Sequence, residues 1–130
     1  MNGEFINVFD EIWYLDAECI EDLGDYARVI IRLGNITKLN LNKITDYVDI
    51  QNSTAWVSFE YKDELIRWEM KVDDDWLDRE IFKKFNELIK TEQSMKLYIS
   101  ILDQGCLVGY FNKEQVFELN KLTKYKFEEY

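Results

Sequence analysis

The densest group of side chains able to do chemistry is Asp73-Asp74-Asp75-Trp76-Leu77-Asp78, four carboxylates within six residues. Clustered carboxylates can ligate calcium, share acid and base roles, or draw in a basic partner. A calcium loop starting at Asp73 would put Leu77 at its fifth position and Asp78 where the turn glycine belongs. It would also lack a glutamate at the twelfth. Pairs such as Asp16 with Glu18, or Glu60 with Glu69, could serve as the two carboxyls of a glycosidase. With 26 acidic residues in 130, however, chance pairs are expected, and spacing alone shows no convergence. The local alternative for Asp73 to Asp78 is a helix start crowded with caps, where Asp74 or Asp75 accepts first-turn N–H groups and the helix dipole favours acid.

The chain has no histidine, which removes serine-histidine, cysteine-histidine and histidine-metal mechanisms. No GxGxxG, P-loop or GxSxG occurs, and Gly105-Cys106-Leu107-Val108-Gly109 is a GxxxG outside any membrane span, read as a tightly packed strand. Cys19 and Cys106 form no CxxC pair and read as reduced structural thiols. The expectation is a protein without metal, cofactor or catalytic residue. Of the four tryptophans, Trp68 falls on an apolar strand face. Trp56 shares the polar face with Ser58 and Glu60, which makes it the candidate for an exposed anchor or an inter-element contact.

Net charge is −10, and the acid is uneven: residues 1–25 sum to −8 with no Lys or Arg, and residues 60–80 to −5. Such a balance disfavours direct binding to nucleic acid or to anionic membranes. An acidic start is the opposite of a secretory n-region, so the expectation is a cytoplasmic chain. The most apolar tract, Tyr98 to Phe111, is too short and too broken to span a bilayer.

The elements that must position these residues follow from periodicity. Phe5 to Leu15 is rich in aromatic and β-branched residues and suggests a strand, with helix or loop left open up to residue 24. Tyr26, Val29, Ile30 and Leu33 form a helical stripe over 25–34, with Asp25 as cap and Gly34 as terminator. Ile44 to Ile50 alternates as a strand and runs into the turn residues Gln51 to Thr54. Ala55 to Val72 reads as an antiparallel hairpin, with Val57, Phe59 and Tyr61 facing Ile66, Trp68 and Met70. Leu77, Ile81, Phe82, Phe85, Leu88 and Ile89 predict a helix over 76–91. Met95 to Leu102 and Cys106 to Phe111 predict two strands. Asn112 with Gln115 predicts a capped helix carrying Val116, Leu119 and Leu122, and Tyr125 to Phe127 a last strand. The fold class expected is α+β: a single domain over residues 1–130, with a largely antiparallel sheet and two or three packed helices.

The run from Asp25-Tyr26 through the Trp68 hairpin, with Asp74-Asp75-Trp76-Leu77-Asp78, Asp103-Gln104 and Leu119-Asn120-Lys121-Leu122-Thr123, resembles the small bacterial immunity proteins of polymorphic-toxin and contact-dependent inhibition systems. That resemblance implies a cytoplasmic protein that binds and blocks a cognate toxin, and it transfers no site residue. The expectation is therefore a non-catalytic acidic protein whose partner is basic, such as a toxin nuclease domain, recognised through Asp73, Asp74, Asp78 and Trp56. The competing classes are a regulatory adaptor or nucleic-acid mimic with a non-toxin target, and a carboxylate enzyme.

Overall fold

The computed structural model describes residues 12–89 and 95–130. Among these, seven strands and three helices form two antiparallel sheets, an α+β architecture. The chain divides into two compact units, a central one over residues 17–79 and a terminal one built from the chain on either side of it. No helix among the described residues is long and apolar enough to cross a membrane.

In the central unit, helix α1 (Asp25–Thr37) packs on a sheet of order β2 (Asn42–Asp49), β3 (Thr54–Tyr61), β4 (Glu64–Met70). The stripe Tyr26, Val29, Ile30, Leu33 is buried throughout, as its spacing requires. The expected terminator, Gly34, does not end the helix. Lys38 takes the left-handed position instead (φ 61°), and the Leu39 N–H donates back to the Gly34 carbonyl at 3.1 Å. The expected hairpin is present, with Ala55 opposite Met70, Val57 opposite Trp68 and Phe59 opposite Ile66, and its turn is the two residues Lys62 and Asp63 rather than Lys62 to Glu64. Lys62 and Asp63 both adopt positive φ, the two-residue turn whose twist matches that of the strands it joins. Ala55, Val57, Phe59 and Met70 are buried, whereas Trp68 is half-buried with its ring edge-on to Phe59 at 5.0 Å.

In the terminal unit the strand order is β1 (Trp13–Asp16), β6 (Gly105–Phe111), β5 (Lys96–Ile101), β7 (Glu128–Glu129). Residues 5–11 of the first expected strand lie outside the described residues. The last strand begins after Phe127, not at Tyr125, and pairs with β5 at Tyr98 and Ile99. Gly109 lies beneath the Phe111 ring on the same strand face, where a Cβ would collide with the ring, which explains the glycine of the GxxxG run. Helix α2 (Glu80–Ile89) buries Ile81, Phe82, Phe85 and Ile89. Helix α3 (Lys113–Leu122) opens with the expected capping box, Gln115 N–H donating to Asn112 Oδ1 at 2.8 Å and Asn112 N–H to Gln115 Oε1 at 2.9 Å. Neither cysteine is in a disulfide, Cys106 being buried and Cys19 half-buried.

Candidate functional site

The helix expected over 76–91 starts four residues late, and the reason defines the site. After β4 the chain pinches into a tight turn in which Trp76 N–H donates to the Asp73 carbonyl at 3.0 Å and Asp74 takes φ 50°. Asp78 turns back, its Oδ2 accepting the Lys71 N–H at 2.7 Å. Asp74 and Asp75 therefore do not cap a helix. Asp74 stands exposed at a turn tip beside exposed Asp73, and the half-buried Asp75 lends its carbonyl to a neighbouring loop.

That neighbour is the stretch 17–24, the other acidic region of this unit. Ile20 N–H donates to the Asp75 carbonyl at 3.0 Å, and Leu77 N–H donates to the Ala17 carbonyl at 2.8 Å. Two regions more than fifty residues apart are thus zipped by backbone bonds, and Asp78 N–H adds a third tie to the Tyr26 hydroxyl at 2.9 Å. Burial pushes the Tyr26 phenol well above its ordinary range. The Asp78 N–H opposes that rise, and the charges of Asp78 and Cys19 add to it. The phenol therefore stays a neutral structural hydroxyl. On this scaffold Glu21, Asp22, Asp73 and Asp74 are all exposed.

Two further carboxylates fix the 17–24 loop from beneath. Asp25 Oδ2 accepts the N–H groups of Glu21 and Asp22, each at 2.9 Å, and its Oδ1 meets Arg28 Nη1 at 2.8 Å. Desolvation raises its pKa, but the two N–H donors and the Arg28 guanidinium outweigh that and hold the carboxyl below its usual range. Sequence reasoning made Asp25 the helix cap. The capping group is instead Asp46 on β2, which accepts from Gly24 N–H at 2.8 and 3.0 Å and from Ala27 N–H at 3.0 Å. The signal for this was present: Asp46 occupies the apolar phase Ile44, Asp46, Val48, Ile50, and a carboxylate facing inward must find donors.

Trp56 lies half-buried on the polar face of the sheet, as its phase predicts, and has a neighbour on each adjacent strand. Tyr47 of β2 stacks on one side at 6.3 Å with 24° between planes, and the Arg67 guanidinium of β4 sits 4.2 Å from the indole centroid. The inter-element contact that the sequence allowed is the one observed, a planar column across three strands. Arg67 Nη2 also reaches Glu69 at 3.1 Å, and the Tyr47 hydroxyl donates to Asp49 at 3.2 Å. The Asp49 charge raises the Tyr47 pKa, while the Asn52 amide and backbone N–H hold Asp49 low.

Of the four expected contact residues, the structure brings Asp73 and Asp74 together at one exposed turn. It commits Asp78 to an internal bond and places Trp56 in the stacked column. The acid pair Glu60 and Glu69 lies on one sheet face, but Glu60 is opposite Leu65, four residues along the strand from Glu69. Glu60 Oε2 instead lies 3.4 Å from Lys43 Nζ, and Glu69 Oε1 3.1 Å from Arg67 Nη2. Among the described residues no three His, Cys, Asp or Glu side chains converge closely enough to hold a metal ion. Against family models, curated proteins and solved structures alike, the chain has no match.

Proposed function

We propose that this protein is a non-catalytic binding protein that docks its acidic lobe onto a basic protein and blocks it, in the manner of an immunity protein acting in the cytoplasm on a toxin nuclease domain. The observation that carries this reading is the pairing of loops 17–24 and 71–79 through Ile20 to Asp75 and Leu77 to Ala17, which holds Glu21, Asp22, Asp73 and Asp74 on one backbone scaffold. Charges fixed before encounter raise association rates and cost little reorganisation on contact. The central unit has 14 acidic against 8 basic side chains, net −6, and the terminal unit 12 against 8, net −4.

The test begins with a partner recovered by affinity capture from the native cell and then purified. Its association rate with the wild type should fall steeply as salt rises, since exposed charges are screened beyond a Debye length of about 8 Å at physiological ionic strength. A variant combining Glu21→Gln, Asp22→Asn, Asp73→Asn and Asp74→Asn should associate roughly tenfold more slowly at low salt with an unchanged fold. It should also no longer inhibit the partner at equal concentration. A salt-independent rate that the variant shares with the wild type would remove the acidic lobe from recognition and the proposal with it.

A further inference from the structure

The open edges of the two sheets are not alike. In the terminal unit β7 is two residues long and β1 four. In the central unit β2 is interrupted by a bulge between Asn42 and Thr45, with Lys43 at φ 51°. Short strands and bulges are the usual protections against edge-to-edge pairing. β4 has neither. Its seven residues from Glu64 to Met70 pair with β3 in unbroken register, and among the described residues no strand lies on its other side. The two-residue turn at Lys62 and Asp63 fixes which groups face out. Tyr61 and Glu64, which close it, bond to each other, and alternation then turns the N–H and C=O of Leu65, Arg67 and Glu69 away from β3. The core also thins at this edge: Val57 and Phe59 of β3 are 0% exposed, but their β4 partners Trp68 and Ile66 are only half-buried.

We propose that β4 pairs antiparallel with β4 of a second copy of this chain, about a two-fold axis at Trp68, joining two three-stranded sheets edge to edge. The strand's own sequence selects this occupant. An added strand must offer apolar side chains beside Ile66, Trp68 and Met70, and charges opposite in sign to Arg67 and Glu69 on the other face. β4 read backwards does both: Ile66 falls opposite the partner's Met70, Trp68 opposite the partner's Trp68, and Arg67 opposite the partner's Glu69. Neighbouring registers fail. Centring on Arg67 sets that guanidinium against its own copy, and centring on Ile66 sets Trp68 against Glu64. In the Trp68 register the outward groups of Arg67 and Glu69 form the hydrogen-bonded pairs, and Trp68 takes the position between them where side chains approach most closely. Within one copy Arg67 already meets Glu69 at 3.1 Å, so the charges choose the register while the backbone bonds and Trp68 supply the attraction. The Lys71 N–H is given to Asp78 Oδ2 at 2.7 Å, which ends the available edge at Met70. An interface this short is weak, in the micromolar-to-millimolar range.

The experiment is a dilution series of the full chain, from about 1 mM to about 20 μM, followed by sedimentation velocity and amide hydrogen exchange. The expected result is a dimer at the high end that dissociates on dilution. Exchange at Arg67 and Glu69, whose N–H groups face out of the free sheet, should be roughly fivefold slower at the high end than at the low. Arg67→Glu and Glu69→Arg each put like charges opposite one another at both cross-strand positions. Each variant alone should therefore dimerise roughly tenfold more weakly than the wild type. An equimolar mixture of the two restores opposite charges at both positions and should form a 1:1 dimer as tight as the wild type, a rescue that also shows both variants to be folded. A wild type that is monomeric at about 1 mM, self-association that leaves exchange at Arg67 and Glu69 unchanged, or a mixture no tighter than either variant alone overturns the proposal.

Discussion

The two units solve one problem, anchoring irregular backbone, with different chemical groups. In the terminal unit the anchors are amides. Asn86 of α2 donates Nδ2 to the Leu97 carbonyl at 3.0 Å and accepts the Leu97 N–H at 2.8 Å, extending the edge of β5 where β7 covers only Tyr98 and Ile99. Asn120 of α3 does the same for Phe127, at 3.1 and 2.8 Å, just before β7. In the central unit the anchors are carboxylates: Asp25, Asp46, Asp49 and Asp78 each accept backbone N–H groups. An amide satisfies a donor and an acceptor at once and carries no charge, so it can be buried. A carboxylate satisfies donors only and brings charge with it. The first choice adds no charge to the unit that makes it. The second yields loops that are rigid and acidic together, the combination the proposed docking needs.

The largest effect expected from breaking this contrast is at Asn86, which is 5% exposed. Asn86→Ala leaves a buried N–H and a buried carbonyl of Leu97 without partners and should cost about 3 kcal/mol in urea unfolding. Asn86→Asp should recover little of this, because it restores the acceptor, loses the donor and buries a charge. Equal stability of Asn86→Asp and wild type would mean that the donor is dispensable and the contrast false.

Asp46→Ala comes next, at about 2 kcal/mol, since it orphans the Gly24 and Ala27 N–H groups at the start of α1. Here the exchange runs the other way: Asp46→Asn keeps an acceptor and should recover at least half of the loss. Amide exchange at Gly24 and Ala27 checks the mechanism, because protection there should fall before protection in the middle of the helix does. Asn120→Ala is smaller, about 1.5 kcal/mol, as the site is only partly buried, and its effect should appear as faster exchange at Phe127 and in β7.

How much of this was legible in the sequence depended on whether the determinant was local. The hairpin over residues 55–70 and the Asn112–Gln115 capping box follow from residues within a turn or a strand of one another, and both are found. The start of α1 at residue 25 was read as it is found, but not the group that caps it, nor the start of α2. Each is set by a group elsewhere in the chain: Asp46, 22 residues from Gly24, at the start of α1, and the Asp78–Lys71 bond, seven residues long, ahead of α2. Four aspartates in six residues match an N-terminal cap by composition, and only the turn at Asp74 with its tie to Ile20 shows that they belong to a loop pair. The acidic surface was visible as two stretches of charge. That residues 17–24 and 71–79 adjoin was not, because the bonds joining them are backbone to backbone and leave no mark on residue type.

The smallest effect separates charge from hydrogen-bonding geometry. Asp25 has a carboxyl held below its usual range, so its contribution is complete above the unfolded value of about 3.9 and is lost as pH falls through the lower folded value. Asp25→Asn removes the Arg28 ion pair and the charge on the bonds from Glu21 and Asp22 but keeps an oxygen in place. Because water still screens this loop, the cost at pH 7 should be only about 0.5–1 kcal/mol. The cost should shrink toward zero as pH falls below the folded pKa, where the wild-type carboxyl is itself protonated and resembles the amide. Asn86→Ala, measured in the same buffers, should cost as much in acid as at neutral pH, since no ionisation is involved. Urea unfolding of the three proteins from pH 7 down through the carboxylate range decides the point. If the Asp25→Asn deficit stayed constant throughout, the loop would be held by geometry alone, and the carboxylate anchors would differ from the amide anchors in name only.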